Sequence, residues 1–261
     1  MLRVFEFGGK AMNDFLLDGE KLTEVNEKIK LIQKNNGLTF GTDAFLLAAY
    51  IKSQKNGTAV ELGGGTGIIS LLCAARDKFK SIYCAEIQED FALLIDRNAR
   101  LNSLESKVTS LHSDVRELKS TDIGLEVDAV FSNPPYMKAD SGKRNEYDEK
   151  YIARHEVCGN IGDFCACAKR LLKHGGLFYC VWRPDRLTDL ICALRENGLE
   201  PKEMCFVHAN TKSAPSMVLV KAKKGAAASV VIEEPLFLNL DEDPKVLTDR
   251  AKKIYEECNF K

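Results

Sequence analysis

The sequence predicts an α/β protein built on a mostly parallel sheet, and three observations carry that prediction. Strand-like and helix-like segments alternate between residues 58 and 198, a pattern that makes βα units and a sheet covered on both faces. A glycine run, Gly63-Gly64-Gly65-Thr66-Gly67, stands where the first of these strands meets its helix. Two last strand-like segments, 204–208 and 217–222, have no helix between them, so an antiparallel hairpin is expected at one edge.

In chain order, residues 13–33 mix apolar and charged positions without a strong period and read as short pieces packed on a larger body. Thr42 is a suitable N-cap, with Asp43 in the favourable first turn, and Phe45, Leu46, Ala49 and Tyr50 form one apolar helical face. Asn56-Gly57 ends this opening section. Strands are predicted over 58–62, 81–85, 108–112 and 128–132, and helices over 68–76 and 89–102. A helix over 164–173 is expected to stop at Gly175-Gly176, before a strand over 177–182. Leu187, Leu190, Ile191 and Leu194 mark one more helix, capped by Gly198. After Gly225-Ala226-Ala227-Ala228 comes a tail with a short strand (230–232) and a helix (247–255). The expected organisation is one structural domain: an N-terminal extension (1–57), a core (58–224) and a C-terminal tail (225–261).

Composition bounds the function. With 45% hydrophobic and 29% charged residues this is an ordinary globular composition, and no apolar run approaches the length of a membrane span. Residues 1–7 carry an acid and lack the long apolar stretch of a signal peptide. Nine cysteines, most of them within apolar segments, read as reduced core residues of a cytoplasmic protein. His155, Cys158, Cys165 and Cys167 lie close in sequence, but the last two sit two apart on a helix and no C-x-x-C pair exists. No metal is therefore expected. A net charge of −1 argues against a broad nucleic-acid-tracking surface, while leaving room for a local grip on a few phosphates.

The residues suited to chemistry gather at strand ends. Glycines after residues 58–62 let the backbone approach a nucleotide-like ligand, although a purely structural turn competes with that reading. Glu86 closes the second core strand, where a carboxylate can accept both hydroxyls of a ribose. Asp114, after the third, is either an acceptor for an adenine amino group or a plain turn residue. The fourth strand halts on Asn133-Pro134-Pro135-Tyr136. Asn133 precedes a proline and so is held extended, and the two prolines stiffen the lip. Its amide, bare carbonyls and aromatic ring suit a planar substrate bearing an amino group. Residues 137–156 balance five basic and five acidic side chains and form a candidate binding segment or lid, with Arg154 and His155 as candidate substrate contacts. A helix-terminal ion pair from Arg154 to Glu156 is the competing reading.

Together these features resemble the class I S-adenosylmethionine-dependent methyltransferases. That resemblance implies a Rossmann-like fold, with a seven-stranded mostly parallel sheet and an antiparallel edge strand. It implies S-adenosyl-L-methionine as cofactor, with Gly63, Gly65 and Gly67 at its methionine end, Glu86 on the ribose and Asp114 on the adenine. Thr42, Glu61 and Asn133 join them as candidate cofactor contacts, and Asn133, Pro134 and Tyr136 become the candidate catalytic residues. The similarity is closer to the bacterial tRNA1(Val) N6-adenine methyltransferases. It is carried by residues 40–47 (Phe-Gly-Thr-Asp-Ala-Phe-Leu-Leu), Glu86-Ile87-Gln88, Ala153-Arg154-His155-Glu156 and Arg183-Pro184. This family implies methylation of an adenine beside a tRNA anticodon, with tRNA as the partner. Two alternatives use the same features: N5-methylation of a protein glutamine, as in the release-factor methyltransferases, and a non-catalytic RNA-binding module.

Overall fold

The computed structural model describes residues 6–7, 10–11, 16–35, 41–135, 159–241 and 246–260. Two short antiparallel pairs come first, β1 (Glu6–Phe7) with β2 (Lys10–Ala11) and β3 (Glu20–Glu24) with β4 (Lys30–Lys34). Helix α1 (Thr42–Tyr50) leads into β5 (Gln54–Leu62), α2 (Ile68–Ala75), β6 (Phe79–Glu86), α3 (Glu89–Leu101) and β7 (Val108–His112). Then follow α4 (Ser120–Ile123), β8 (Val127–Ser132), α5 (Ile161–Leu171), β9 (Leu172–Trp182), α6 (Leu187–Glu196), β10 (Leu199–His208) and β11 (Pro215–Lys224). Two short strands, β12 (Val231–Ile232) and β13 (Leu236–Phe237), and helix α7 (Asp249–Glu257) complete the described elements.

The central sheet has the order β7-β6-β5-β8-β9-β11-β10, and β12 and β13 both pair beyond β10. Strands β5 to β9 pair in parallel with their neighbours, while β11 runs antiparallel to both β9 and β10. The expected seven strands are therefore present. The closing hairpin folds back so that β11 lies between β9 and β10, and the two short strands add a parallel fringe.

Alternation of side chains builds a core on each face. Along β9, Tyr179 and Val181 join the cluster formed with α1 and α2, whereas Phe178, Cys180 and Trp182 join the one formed with α5 and α6. Ala129 and Phe131 against Val130 repeat the pattern on β8.

Several boundaries differ from the sequence prediction for physical reasons. The glycines at 175–176 do not end a helix: β9 begins at Leu172 and runs through them. Its register to β8 jumps from Val127↔Leu172 to Ala129↔Leu177, a bulge in which Gly175 adopts φ +79°. The N-cap of α1 is Gly41, in extended conformation, and Thr42 is the first helical residue.

Residues 20–34 form a hairpin laid against α3, by a device the sequence did not announce. Asn98 and Asn102, one helical turn apart, act as substitute strand partners. Asn98 accepts from the Ile32 amide (2.7 Å) and donates to its carbonyl (3.1 Å), and Asn102 does the same for Lys30 (2.8 and 2.7 Å). The match is geometric: four helical residues rise about 6 Å, close to the roughly 6.6 Å of two strand residues.

Candidate active site

Parallel pairing puts the C-terminal ends of β5, β6, β7 and β8 on one line. Leu62 stands opposite Ala85 and Ser132, and Glu86 opposite His112. The candidates that follow these ends, Gly63 to Gly67, Glu86, Asp114 and Asn133, are thereby gathered along one edge, where open α/β sheets bind ligands.

The glycine loop folds tightly over the end of β6. Gly63 and Gly64 both donate to the Ala85 carbonyl (2.9 and 3.0 Å), and Gly67 donates to Gly64 (2.8 Å). Gly67, at φ +80°, turns the chain into the N-terminus of α2. At Gly64 space is the constraint: a Cβ there would lie 2.2 Å from the Cys84 sulfur.

Glu86 is 6% exposed. Its carboxylate accepts from the Gly65 amide (2.8 Å) and the Gln88 amide (3.0 Å). Burial raises its pKa, and these backbone hydrogen bonds oppose the rise. A buried acceptor joined to the crest of a glycine loop is the group a ribose diol requires. Gly63, Gly65 and Glu86 therefore fit S-adenosylmethionine, the first two through bare backbone and Glu86 through its carboxylate.

Two expected contacts are engaged within the fold, and a third, Thr42, lines a neighbouring cleft. Glu61 is 1% exposed, and its Oε2 accepts from the Ser70 amide (2.9 Å), the Ser70 hydroxyl and the Cys84 thiol (3.4 Å). It braces α2 from behind the loop instead of facing a ligand. Burial pushes its pKa up to about 7 against the Ser70 and Cys84 hydrogen bonds. Asp114 is clasped by its own turn. Arg116 donates to it from its backbone (2.8 Å) and its guanidinium (Nε at 2.9 Å), and that hydrogen bonding holds the carboxyl below its ordinary range. An adenine amino group there would have to share Asp114 with the guanidinium. Thr42 opens on a cleft of about 180 Å³ that it lines with Asp43, Trp182, Arg183, Ser216 and Met217.

The lip after β8 is tied down on both sides. The Ser132 hydroxyl donates to the Leu62 carbonyl (2.7 Å), and the Asn133 amide nitrogen donates to Asp43 Oδ2 (2.8 Å). Pro134 is buried and Pro135 half-buried. Tyr136, Arg154 and His155, with the rest of the candidate lid and Cys158, lie outside the described residues. Asp43 is the site residue that sequence reasoning placed only as a helix-start residue. The signal was its place beside Thr42 in the 40–47 stretch.

Among the described residues no group of three or more His, Cys, Asp or Glu is arranged to hold a metal ion. None of their helices is long and apolar enough to cross a membrane. Cys165 and Cys167 are both buried in one core cluster, and Cys192 is exposed.

Comparison with known proteins finds relatives in sequence and in fold. The tRNA1(Val) (adenine(37)-N6)-methyltransferase of Vibrio vulnificus is 28% identical over 82% of this chain and 86% of its own length. The enzyme of that name from Dyadobacter fermentans is 24% identical over 76% and 80%. Among solved structures, a predicted O-methyltransferase, protein Atu636 from Agrobacterium tumefaciens, is similar with a TM-score of 0.68. At 21% identity, that likeness covers 84% of this chain and 97% of that one. The family model for the methyltransferase small domain matches residues 35–189, a span that holds α1, the glycine loop, Glu86 and Asn133. With its glycine loop, strand-end carboxylate and Asn-Pro-Pro lip on one edge of the sheet, this chain belongs to the methyltransferase small domain family.

Proposed function

We propose that this protein transfers a methyl group from S-adenosylmethionine to the exocyclic N6 of an adenine in tRNA. The observation that carries this reading is the Asn133 carboxamide. It stands at the end of β8, on a proline-stiffened lip beside the glycine loop, with its nitrogen turned to Asp43. The names of the curated relatives support tRNA adenine as the acceptor.

When bound, S-adenosylmethionine supplies an electrophilic methyl group on a sulfonium, which leaves as a neutral thioether. Gly63 and Gly65 would line its methionine end and Glu86 would accept from its ribose. An adenine amino group is a weak nucleophile, because its lone pair is delocalised into the ring. The Asn133 side-chain oxygen and the Pro134 carbonyl would accept its two N–H groups and draw the nitrogen toward tetrahedral geometry. The lone pair is then aligned with the methyl group, so the help is orientation and electrostatics. The nitrogen becomes cationic on methylation and loses its proton readily, so no strong general base is needed. Tyr136 would stack on a base turned out of the RNA.

The test is transfer of labelled methyl to total tRNA and, separately, to release factor. N6-methyladenine in the RNA digest, with unlabelled protein, is the expected result. Label in release-factor glutamine, with none in RNA, would replace this reading by the amide one.

A further inference from the structure

A carboxamide has one accepting end and one donating end of nearly equal size, and its terminal torsion is broad. The Asn133 chemistry needs the oxygen end toward the acceptor amine. With the NH2 end there, donor would face donor. Something must therefore fix the orientation of the amide, and the structure contains a group able to do so.

The Asn133 amide nitrogen meets Asp43 Oδ2 at 2.8 Å, a contact across 90 positions of sequence. A carboxylate only accepts, so only the NH2 end of Asn133 can face it. Asp43 is itself fixed: its Oδ1 accepts from the Ala44 amide (2.9 Å) in the first turn of α1. That helix is held along its length, with residues 44–50 buried. At its far end the Lys78 ammonium donates to the carbonyls of Ala48, Ala49 and Ile51 (2.7, 3.1 and 2.6 Å). Asp43 thus projects from an anchored rod to the one side chain whose orientation matters to the acceptor.

We infer that Asp43 is a positioning residue, which holds the Asn133 carboxamide with its oxygen end presented to the acceptor amine. This rests on the role proposed for Asn133. It also predicts that the effect of Asp43 on rate runs chiefly through Asn133.

The experiment is a double-mutant cycle on single-turnover methyl transfer, with Asp43→Ala, Asn133→Ala and the combined variant. Cofactor affinity and melting temperature are measured for each. Asp43→Ala should slow turnover about 10- to 100-fold, the range for loss of a group that orients a reacting side chain. Cofactor affinity should stay within about threefold, and in the Asn133→Ala background the same change should cost less than about twofold. Asp43→Asn keeps an accepting oxygen but loses the charge that favours the helix start. It should recover most of the rate lost in Asp43→Ala while losing thermal stability to a similar extent. If Asp43→Ala does not fold, Asp43→Thr takes its place in the cycle.

An equal rate loss in both backgrounds would overturn the inference, and so would an Asp43→Asn rate that follows its melting temperature. Either result leaves the role of Asn133 standing. Full turnover by Asn133→Ala would remove that role, and the inference with it.

Discussion

The Glu86 carboxylate accepts the amide hydrogen of Gly65 at 2.8 Å, so the end of β6 and the crest of the glycine loop are held as one unit. Removing the carboxylate would take away the proposed ribose acceptor and its hydrogen bond to the loop together. Charge-assisted hydrogen bonds of this kind contribute about 1.5–3 kcal/mol. Glu86→Ala should therefore weaken S-adenosylmethionine about 10- to 150-fold by calorimetry. Unchanged affinity in a folded variant would take Glu86 out of the site.

Loss of Asn133 should divide binding from chemistry. Asn133→Ala is expected to lower turnover by about two to three orders of magnitude, as for loss of one preorganised polar group. Its cofactor affinity should stay close to that of the parent, because in the proposed role the amide faces the acceptor. Parallel losses in affinity and rate would mean that the lip shapes the cofactor site instead.

Glu61 makes stability depend on pH in the direction opposite to an ion-paired acid. Its pKa rises from an ordinary 4.5 to about 7 because burial penalises the charge. The folded state thus binds the proton more tightly than the unfolded chain. Its contribution is fully present below about pH 4.5 and is lost as pH rises toward about 7. Over that window the loss is about 3 kcal/mol. Denaturant titrations of Glu61→Gln should lack this decline, and a decline of the same size in the variant would assign it to another group.

Gly64 is set by contact and not by backbone angle. Gly64→Ala would drive a Cβ to 2.2 Å from the Cys84 sulfur and 3.2 Å from Ile95 Cδ1. Overpacking of this kind costs about 1–3 kcal/mol. Cys84→Ala removes the sulfur, so Gly64→Ala should lower the melting temperature less in that background than in the parent. An equal loss in both backgrounds would show that the thiol is not what rejects the methyl group.

What could be read in the sequence was local. The bounds of β7 follow directly from its apolar pattern, and Glu86 stands at a strand end because the strand read over 81–85 runs into it. Where expectation and structure differ the cause is shared: a residue has two good local uses, and tertiary pairing selects the less common one. Gly175-Gly176 suited a helix stop, yet the pairing of β9 with β8 claimed them for a bulge. Thr42 suited a cap, yet Gly41 takes that position. Glu61 belonged to a recognisable loop, yet its oxygen turns inward to Ser70. The Asp43–Asn133 and Asn98–Ile32 hydrogen bonds span 90 and 66 positions, and no local pattern announces a partner so far away.

The seat of α1 bears on the order in which the protein is made. Phe45 rests on Tyr255 (5.5 Å between ring centroids) and Tyr50 on Phe260 (5.1 Å). The helix that carries Asp43 thus leaves the ribosome before the aromatic rings that cover it. Until then its aromatic flank lacks the cover of those rings. The joint between Asp43 and Asn133 is backed by its final packing only when synthesis has passed Phe260, so a nascent chain would carry all four site strands before its amide lip is fully supported.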